Sequence, residues 1–370
     1  MKILPRKKKP KYYSLDKIMK IGALYNIIYG QRSNGKTYAV IDLFLDHYAK
    51  TGVPSAYIRR LDSELVPKEL EQLTSPHIPK VEKWTKGKYN TIVYKSRKFY
   101  FAWYNEEDGK YILDENPAIY CMSLNTSIKS KGADRGKIAY TLFDEFLTRQ
   151  FYLANEFVTY CEILSTLMRD RDGTIHFLVG NTVNRYCPYF AEMGLSNITK
   201  QQQGTIDVYT YGDKENPNRI AVEYCAQSEN TKSIQKYFAF DNPQLNMIFT
   251  GDWEIASYPH APASIRHSDA IYKAFLIFDK ETLCLNLINK DGLYLFVTPW
   301  TGDIPENTIC YVEHFSQTPY QIVFPGRSNI KADKLYCQLI NNKKVFFADN
   351  STGEIYNNWI KYLVSKKAYV

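Results

Sequence analysis

The stretch GQRSNGKT, residues 30–37, decides the fold of this 370-residue chain. It matches the pattern G-x-x-x-x-G-K-[ST], whose glycines let the backbone curl so that successive N–H groups point at phosphate oxygens. The apolar run Leu24–Tyr29 before the loop predicts a strand, and the amphipathic stretch Tyr38–Tyr48 after it predicts a helix. A chance match in a glycine-bearing turn would rarely have both neighbours. The sequence therefore predicts a phosphate-binding loop at a helix N-terminus.

Every residue of this loop is a candidate to bind ATP. Lys36 is expected to reach the β- and γ-phosphates, and the hydroxyl of Thr37 is expected to ligate Mg²⁺. The other candidates line the loop itself: Gly30, Gln31, Arg32, Ser33, Asn34 and Gly35. ATP and Mg²⁺ are therefore the expected ligands of the chain.

A second apolar run, Lys137–Phe143, ends in two adjacent acids, Asp144 and Glu145. Downstream of a phosphate loop, an acid at a strand end holds Mg²⁺, which is the role we expect for Asp144. A second carboxylate can polarise an attacking water, which is the role we expect for Glu145. The alternative is a solvated acidic pair. Water as the nucleophile favours a hydrolase over a small-molecule kinase.

Three further features of the sequence are less specific for a function. Arg169 and Arg171 follow a helical stretch and could reach the γ-phosphate of a neighbouring subunit as an arginine finger, or form a solvated cluster with the adjacent aspartates. Asn181 follows a predicted strand and could sense the γ-phosphate or form a turn. Lys129 and Lys131 lie in a basic loop that could contact a DNA backbone.

The pattern of predicted secondary structure changes near residue 212. Before it, predicted strands alternate with helices, which indicates βαβ units and a mainly parallel sheet. The polar run GDKENPN then breaks this pattern, and later short strands with turns between them are followed by two predicted helices. We predict an α/β domain over residues 1–212, a connecting segment over 213–262 and a small α+β domain over 263–370.

Composition excludes several classes of protein. The chain is 45% hydrophobic and 23% charged, which is the range of globular domains. No apolar run reaches about 18 residues, so no membrane helix is expected, and the basic N-terminus lacks the apolar segment of a secretory signal. Seven scattered cysteines without a C-x-x-C pair argue against a disulfide framework and a zinc site.

The net charge of +8 is concentrated at the two ends of the chain. Residues 1–12 carry six basic side chains and no acid, and residues 321–370 carry eight basic and three acidic ones. The body between them therefore has a small net negative charge. Either the ends dock a polyanion such as DNA or RNA, or they only keep the protein soluble.

These motifs together resemble the DNA-packaging (encapsidation) ATPases of small podoviruses. The resemblance rests on GQRSNGKTYAV from residue 30, YIRRLDSEL at 57–65, FDEF at 143–146, RDR at 169–171, and GN at 180–181, with NRYCPYF soon after. It covers residues 16–190 and is faint over 213–370. Arg32 inside the loop is also a feature of the broader viral packaging and terminase ATPases.

The resemblance implies an additional-strand P-loop ATPase that moves double-stranded viral DNA into a preformed procapsid. It implies a homomeric ring, with a pentamer expected, that works in the host cytoplasm at the portal vertex with a structural prohead RNA and is absent from the mature virion. It assigns Lys36 and Thr37 to nucleotide and Mg²⁺, and Asp144 to the metal. It assigns Glu145 to water activation and favours Arg169 as the finger. It also implies a nuclease-like, RNase H-type second domain without an active site.

Three other functions stay open at the level of sequence. A large-terminase type protein would join the same ATPase to an active nuclease, but Asp279, Asp291 and Asp303 lie in or beside predicted turns rather than within strands, away from a converging two-metal site. A helicase or partitioning motor would share the phosphate loop without packaging DNA. A binding module with a vestigial loop would not need Lys36.

Overall fold

The computed structural model of the chain describes residues 12–126, 135–149, 152–169, 171–184, 186–198, 200–212, 217–226, 253, 257–261, 265–290, 292–314 and 317–366. The chain divides into two compact units. The first comprises residues 1–149 and 156–254, and the second comprises residues 150–155 and 255–370. Each unit is built on its own β-sheet.

The first unit contains a ten-stranded sheet. Its strands are, in chain order, β1 (Tyr25–Gly30), β2 (Ser55–Arg59), β3 (Thr91–Lys95), β4 (Lys98–Asn105), β5 (Lys110–Leu113), β6 (Ile119–Ser123), β7 (Tyr140–Asp144), β8 (Ile175–Asn181), β9 (Ile206–Tyr211) and β10 (Asn218–Tyr224). The helices described in this unit are α1 (Asp16–Met19), α2 (Lys36–Thr51), α3 (Pro67–Thr74), α4 (Ile78–Thr85), α5 (Glu156–Met168) and α6 (Pro188–Glu192).

The centre of this sheet is parallel. Its strands lie in the order β2–β7–β8–β1–β10. β8 is inserted between β1, which leads into the phosphate loop, and β7, which ends in the two acids. This is the additional strand that the resemblance implied, so the predicted α/β class and mainly parallel sheet are confirmed. Parallel pairing brings the carboxyl ends of β1, β7 and β8 to one edge, where open α/β sheets bind ligands.

Aromatic side chains pack helices onto both faces of this sheet. On one face Phe44 of α2 lies with its ring 5.7 Å from that of Tyr140 and 6.5 Å from that of Phe177. On the other face Tyr160 of α5 lies 5.5 Å from Phe143. Tyr140 and Phe143 point to opposite faces because side chains alternate along a strand. Cover on both faces explains why β1, β7 and β8 are almost continuously apolar and buried.

The first sheet extends past the predicted domain boundary at residue 212. β10 pairs in parallel with β1, and β9 pairs antiparallel with β10 at the edge of the sheet. The polar run that follows Tyr211 thus connects two strands of one sheet. A strand connection and a domain linker share the same Gly-, Pro- and Asn-rich composition, which is why the sequence misleads here. Most of the predicted connecting segment, 213–262, lies outside the described residues.

The second unit is a mixed sheet with two helices, consistent with the predicted α+β class. Its elements are β11 (Ala270–Phe278), β12 (Glu281–Asn289), β13 (Leu293–Pro299), β14 (Cys310–Tyr311), β15 (Gln321–Ile322), α7 (Lys331–Asn341), β16 (Val345–Phe347) and α8 (Asn350–Ser365). The strand order is β15–β14–β11–β12–β13–β16, with an antiparallel meander from β11 to β13. Within the described part of the chain, every helix is too short or too polar to cross a bilayer.

Candidate nucleotide-binding site

The phosphate loop joins β1 to α2 at the carboxyl edge of the first sheet. Three of its residues have positive φ: Gly30 at 145°, Ser33 at 56° and Gly35 at 92°. A Cβ on Gly30 would lie 3.1 Å from the Cβ of Cys225, the residue that follows β10, so a side chain at this position would be crowded. Gly35 caps α2. A curled backbone that leads directly into a helix N-terminus is the arrangement that binds phosphate.

Lys36 is buried within this loop and is only 4% exposed. Its Nζ donates hydrogen bonds to the carbonyl of Gln31 at 2.6 Å, to Oδ1 of Asn34 at 3.2 Å and to Oδ1 of Asn181 at 3.4 Å. Burial lowers the pKa of Lys36 to about 8, with the negative charge of Asp144 among the opposing influences. Among the described residues, these hydrogen bonds of Lys36 all go to neutral oxygens. A buried cation with neutral partners is suited to an anionic ligand.

Arg32 adds a second cation to the loop. Its charge is one of the causes that lower the pKa of Lys36, after burial. Its Nε is buried and makes no hydrogen bond within the part of the chain that the structure describes. A buried N–H donor without an acceptor is costly, and a phosphate oxygen would satisfy it. The residues present therefore fit a nucleotide phosphate.

The loop and the two acids meet in one site. Oγ1 of Thr37 donates to Oδ1 of Asp144 at 2.9 Å, and the hydroxyl of Tyr57 donates to its Oδ2 at 3.0 Å. Burial raises the pKa of Asp144, while the nearby Arg59 opposes this. Hydroxyl and carboxylate oxygens are ligands that Mg²⁺ accepts, and Mg²⁺ usually keeps few protein ligands beside waters and phosphate oxygens. The Thr37–Asp144 pair therefore fits Mg²⁺ held jointly with a nucleotide.

Glu145 lies beside this pair and is held by Arg59, the last residue of β2. Nη2 of Arg59 donates to Oε2 of Glu145 at 3.0 Å, and Nη1 lies 3.6 Å from Oδ2 of Asp144. Arg59 also lies 3.4 Å from Glu64. The side chain of Glu145 is 54% exposed, so water reaches it. One arginine thus contacts both Asp144, the last residue of β7, and Glu145, which follows it, at the edge of the sheet where Thr37 lies.

Sequence reasoning missed the contribution of β2. Tyr57, Arg59 and Arg60 contact the acids that follow or end β7, because β2 is the parallel neighbour of β7. In the sequence, their stretch YIRR contributes only to the family resemblance. Two adjacent arginines at the end of a strand are a signal that could have found them, once β2 is taken as the neighbour of β7.

Arg169 lies at the opposite edge of the sheet. α5 crosses from the carboxyl end of β7 back to the start of β8, where the N–H of Ile175 bonds to the carbonyl of Ala139. Close by, Arg171 donates to the carbonyl of Gly136 at 2.7 Å. A helix of 13 residues spans about 20 Å. Arg169 is therefore not brought together with Asp144 of its own chain.

Of the remaining predicted residues, one lies at the phosphate loop, and the others lie elsewhere or outside the described residues. Asn181 ends β8 and reaches Lys36, so the structure brings it to the phosphate loop. Lys129 and Lys131 lie outside the described residues, and their DNA contact stays a prediction.

In the second unit Asp279 lies in the β11–β12 turn and Asp303 in the loop after β13, while Asp291 is outside the described residues. No group of three His, Cys, Asp or Glu side chains that could hold a metal occurs among the described residues.

The Podovirus DNA encapsidation protein (Gp16) family matches residues 7–220, which is more than half of the chain. The chain belongs to this family. The family resemblance predicted from the sequence is thereby confirmed. Two relatives, the DNA packaging proteins of Bacillus phages phi29 and PZA, are each 24% identical over 183 residues, which is 48% of this chain and 49% of theirs. The chain thus spans about half the length of these two DNA packaging proteins.

The fold of this encapsidation-family chain is also found in solved packaging motors. The Phi-28 gp11 DNA packaging motor is similar with a TM-score of 0.51 and 17% identity, over 96% of this chain and 98% of that one. The bacteriophage Phi-29 viral genome packaging motor assembly gives a TM-score of 0.51 and 18% identity, over 95% and 99%. At such identities the likeness establishes the fold, and it extends over almost the whole chain.

Proposed function

We propose that this protein is the ATP-hydrolysing subunit of a ring motor that drives double-stranded viral DNA into a procapsid. One observation carries the proposal: the contact between Thr37 and Asp144, which joins the phosphate loop to the acidic strand end in a chain of the DNA encapsidation family. A vestigial loop would have no need of a metal-binding partner placed against it. The other contacts of the site support a specific role for each residue.

Lys36 and Arg32 bind the phosphates of ATP. Lys36 exchanges neutral oxygens for charged ones when a nucleotide binds, which strengthens each of its hydrogen bonds. The nucleotide also supplies an acceptor for the buried Nε of Arg32. The helix N-terminus at Gly35 adds a favourable dipole at the same place. Asn181 lies within reach of the terminal phosphate because it contacts Lys36.

Thr37 and Asp144 hold Mg²⁺, which neutralises charge that develops on the phosphate oxygens. Tyr57 donates to the other oxygen of Asp144 and so fixes the orientation of its carboxylate. Glu145 orients the attacking water and accepts its proton. Arg59 keeps the carboxylate of Glu145 next to Asp144.

Arg169 completes the site of a neighbouring subunit. Its place at the edge opposite the phosphate loop supports action in trans only, since about 20 Å of helix separates the two edges. Such a contact joins different surfaces of two copies, and repeating it gives a ring when the rotation between neighbouring copies closes. We propose a homomeric ring, with five subunits expected, that works in the host cytoplasm at the portal of the procapsid with a structural RNA.

Phosphate release from ATP by the full-length chain tests the enzymatic part of this proposal. We expect hydrolysis that double-stranded DNA and procapsids stimulate. Lys36→Ala should lose nucleotide binding, whereas Glu145→Gln should keep binding and lose hydrolysis by about 100-fold or more. Hydrolysis that survives both substitutions would contradict the assignment. Unwinding of a forked duplex would instead indicate a helicase.

We propose further that the second unit does not cut DNA. Asp279 and Asp303 lie in a turn and a loop, and no cluster of three metal-binding side chains occurs in the described part of the chain. Two-metal nucleases need several converging carboxylates. Incubation with plasmid and Mn²⁺ should leave the plasmid intact. Cleavage that disappears in Asp279→Ala would favour the terminase-type alternative.

A further inference from the structure

The backbone of Glu145 has an unusual conformation. Its φ is 56°, in the left-handed region, which is unfavourable for a residue with a side chain by about 1–2 kcal/mol. Such a conformation persists only where surrounding contacts hold it, and these positions cluster at functional sites. The contacts that hold Glu145 therefore decide where its carboxylate lies.

Arg60 supplies two of the contacts that hold this turn. Its Nη1 donates to the carbonyl of Glu145 at 3.1 Å, and its Nη2 donates to the carbonyl of Phe146 at 2.6 Å. The N–H of Glu145 bonds to Oδ1 of Asp144 at 3.2 Å, and the N–H of Phe146 bonds to the carbonyl of Val179. One guanidinium thus grips two consecutive carbonyls, a geometry that the single ammonium of lysine does not reproduce.

Arg60 is itself held in place by buried side chains. Its Nε donates to both carboxylate oxygens of Glu156, at 3.1 and 2.9 Å, and Glu156 also accepts from the hydroxyl of Tyr189 at 3.1 Å. Arg60 is 6% exposed, Glu156 is 2% exposed and Tyr189 is fully buried. The guanidinium also lies over the ring of Phe143, 5.6 Å from its centroid. This set of contacts leaves the guanidinium one orientation.

A buried ion pair is weak evidence for stability, because desolvation offsets much of its attraction. Here the pair is connected to the two residues that follow β7, at the position of the proposed base. We infer that Arg60 is a positioning residue for Glu145: it holds the backbone turn that brings the carboxylate to the edge where Thr37 and Asp144 meet. This inference rests on the proposed role of Glu145 in ATP hydrolysis.

The substitution Arg60→Lys tests this role, because it keeps the charge and removes the fork. Nucleotide affinity is measured with a fluorescent ATP analogue, and single-turnover hydrolysis is measured per bound ATP. We expect unchanged affinity and a hydrolysis rate about 100-fold lower, as for a misplaced catalytic group. The matched control is Arg97→Lys, which alters a surface ion pair with Asp62 and should leave the rate unchanged. A normal rate in Arg60→Lys overturns the inference.

A double substitution separates positioning from general support of the fold. If Arg60 acts through Glu145, then adding Arg60→Lys to Glu145→Gln should not slow hydrolysis further, because both remove the same step. An additive loss overturns the inference. If Arg60→Lys does not fold, Glu156→Gln replaces it and should lower the rate in the same direction at unchanged affinity, and a normal rate then overturns it.

The same experiments distinguish this inference from the proposed function. Hydrolysis that survives Glu145→Gln contradicts the proposed base, and with it the inference. Hydrolysis that is lost in Glu145→Gln but normal in Arg60→Lys contradicts the inference alone.

Discussion

The burial of Lys36 makes the affinity for nucleotide depend on pH. Burial lowers the pKa of Lys36 to about 8, so the free site loses this charge as the pH rises through that value. A bound phosphate favours the charged form and raises the pKa again. Nucleotide binding therefore takes up a proton above about pH 8 and none below it. We expect affinity to be constant below about pH 8 and to fall by about tenfold per pH unit above it.

Titration with a fluorescent nucleotide at stepped pH measures this dependence. Calorimetry in two buffers of different ionisation enthalpy checks the proton uptake independently. An affinity that stays constant to about pH 9.5 would contradict the protonation of Lys36 as the cause.

Gly30 makes a second prediction at the scale of one residue. Gly30→Ala introduces a Cβ at a φ of 145° and 3.1 Å from the Cβ of Cys225, so we expect a loss of about 1–3 kcal/mol in the free energy of unfolding. The control Gly52→Ala places a Cβ at a φ of 70° with no atom within 4 Å, and should cost about 1 kcal/mol. Denaturant unfolding compares the two. Equal losses would contradict the extra cost expected at Gly30.

Arg169 follows the last residue of α5, and its backbone and its side chain have different roles. The backbone terminates the helix, and the side chain is the proposed arginine finger. Arg169 has a φ of 41°, and its N–H bonds to the carbonyl of Ser165 at 3.0 Å, so it terminates the helix in the left-handed region. Glycine is preferred at such a position. We expect Arg169→Gly to keep or raise stability, yet to lower assembly-stimulated hydrolysis by about 10³-fold or more.

The matched control for Arg169→Gly is Lys86→Gly. Lys86 terminates α4 in the same left-handed conformation, with a φ of 53°, and it has no place in the site. Thermal unfolding and stimulated phosphate release are measured on both variants. Full stimulation in Arg169→Gly would mean that the finger is another residue.

The elements that the sequence predicted well are those whose signal is local. The phosphate loop, the strand before it and the helix after it are contiguous, and the acids of β7 directly follow an apolar run. The contacts made by β2 are not local: Arg60 and Glu145 are 85 residues apart and meet only because β2 and β7 are neighbours in the sheet. β10 was missed because the polar run before it has the composition of a linker.

At the scale of the assembly, an arginine finger supplied by a neighbouring subunit predicts how rings that contain two different variants behave. Rings of Arg169→Gly subunits alone or Lys36→Ala subunits alone should not hydrolyse ATP. In a mixture, some interfaces pair an intact Lys36 with an intact Arg169 from the neighbour, so part of the activity should return. The control mixes Lys36→Ala with Glu145→Gln, two residues of one site in one subunit, and should stay inactive. No recovery in the first mixture would contradict a finger supplied by a neighbour.

The central claim is that ATP hydrolysis at the Thr37–Asp144–Glu145 site drives DNA into a procapsid. Its most direct measurement is the amount of double-stranded DNA that becomes protected from nuclease when the full chain, procapsids, DNA and ATP are combined. We predict ATP-dependent protection with the unaltered chain and none with Glu145→Gln, which still binds nucleotide. Equal protection by Glu145→Gln, or protection without ATP, would contradict the claim.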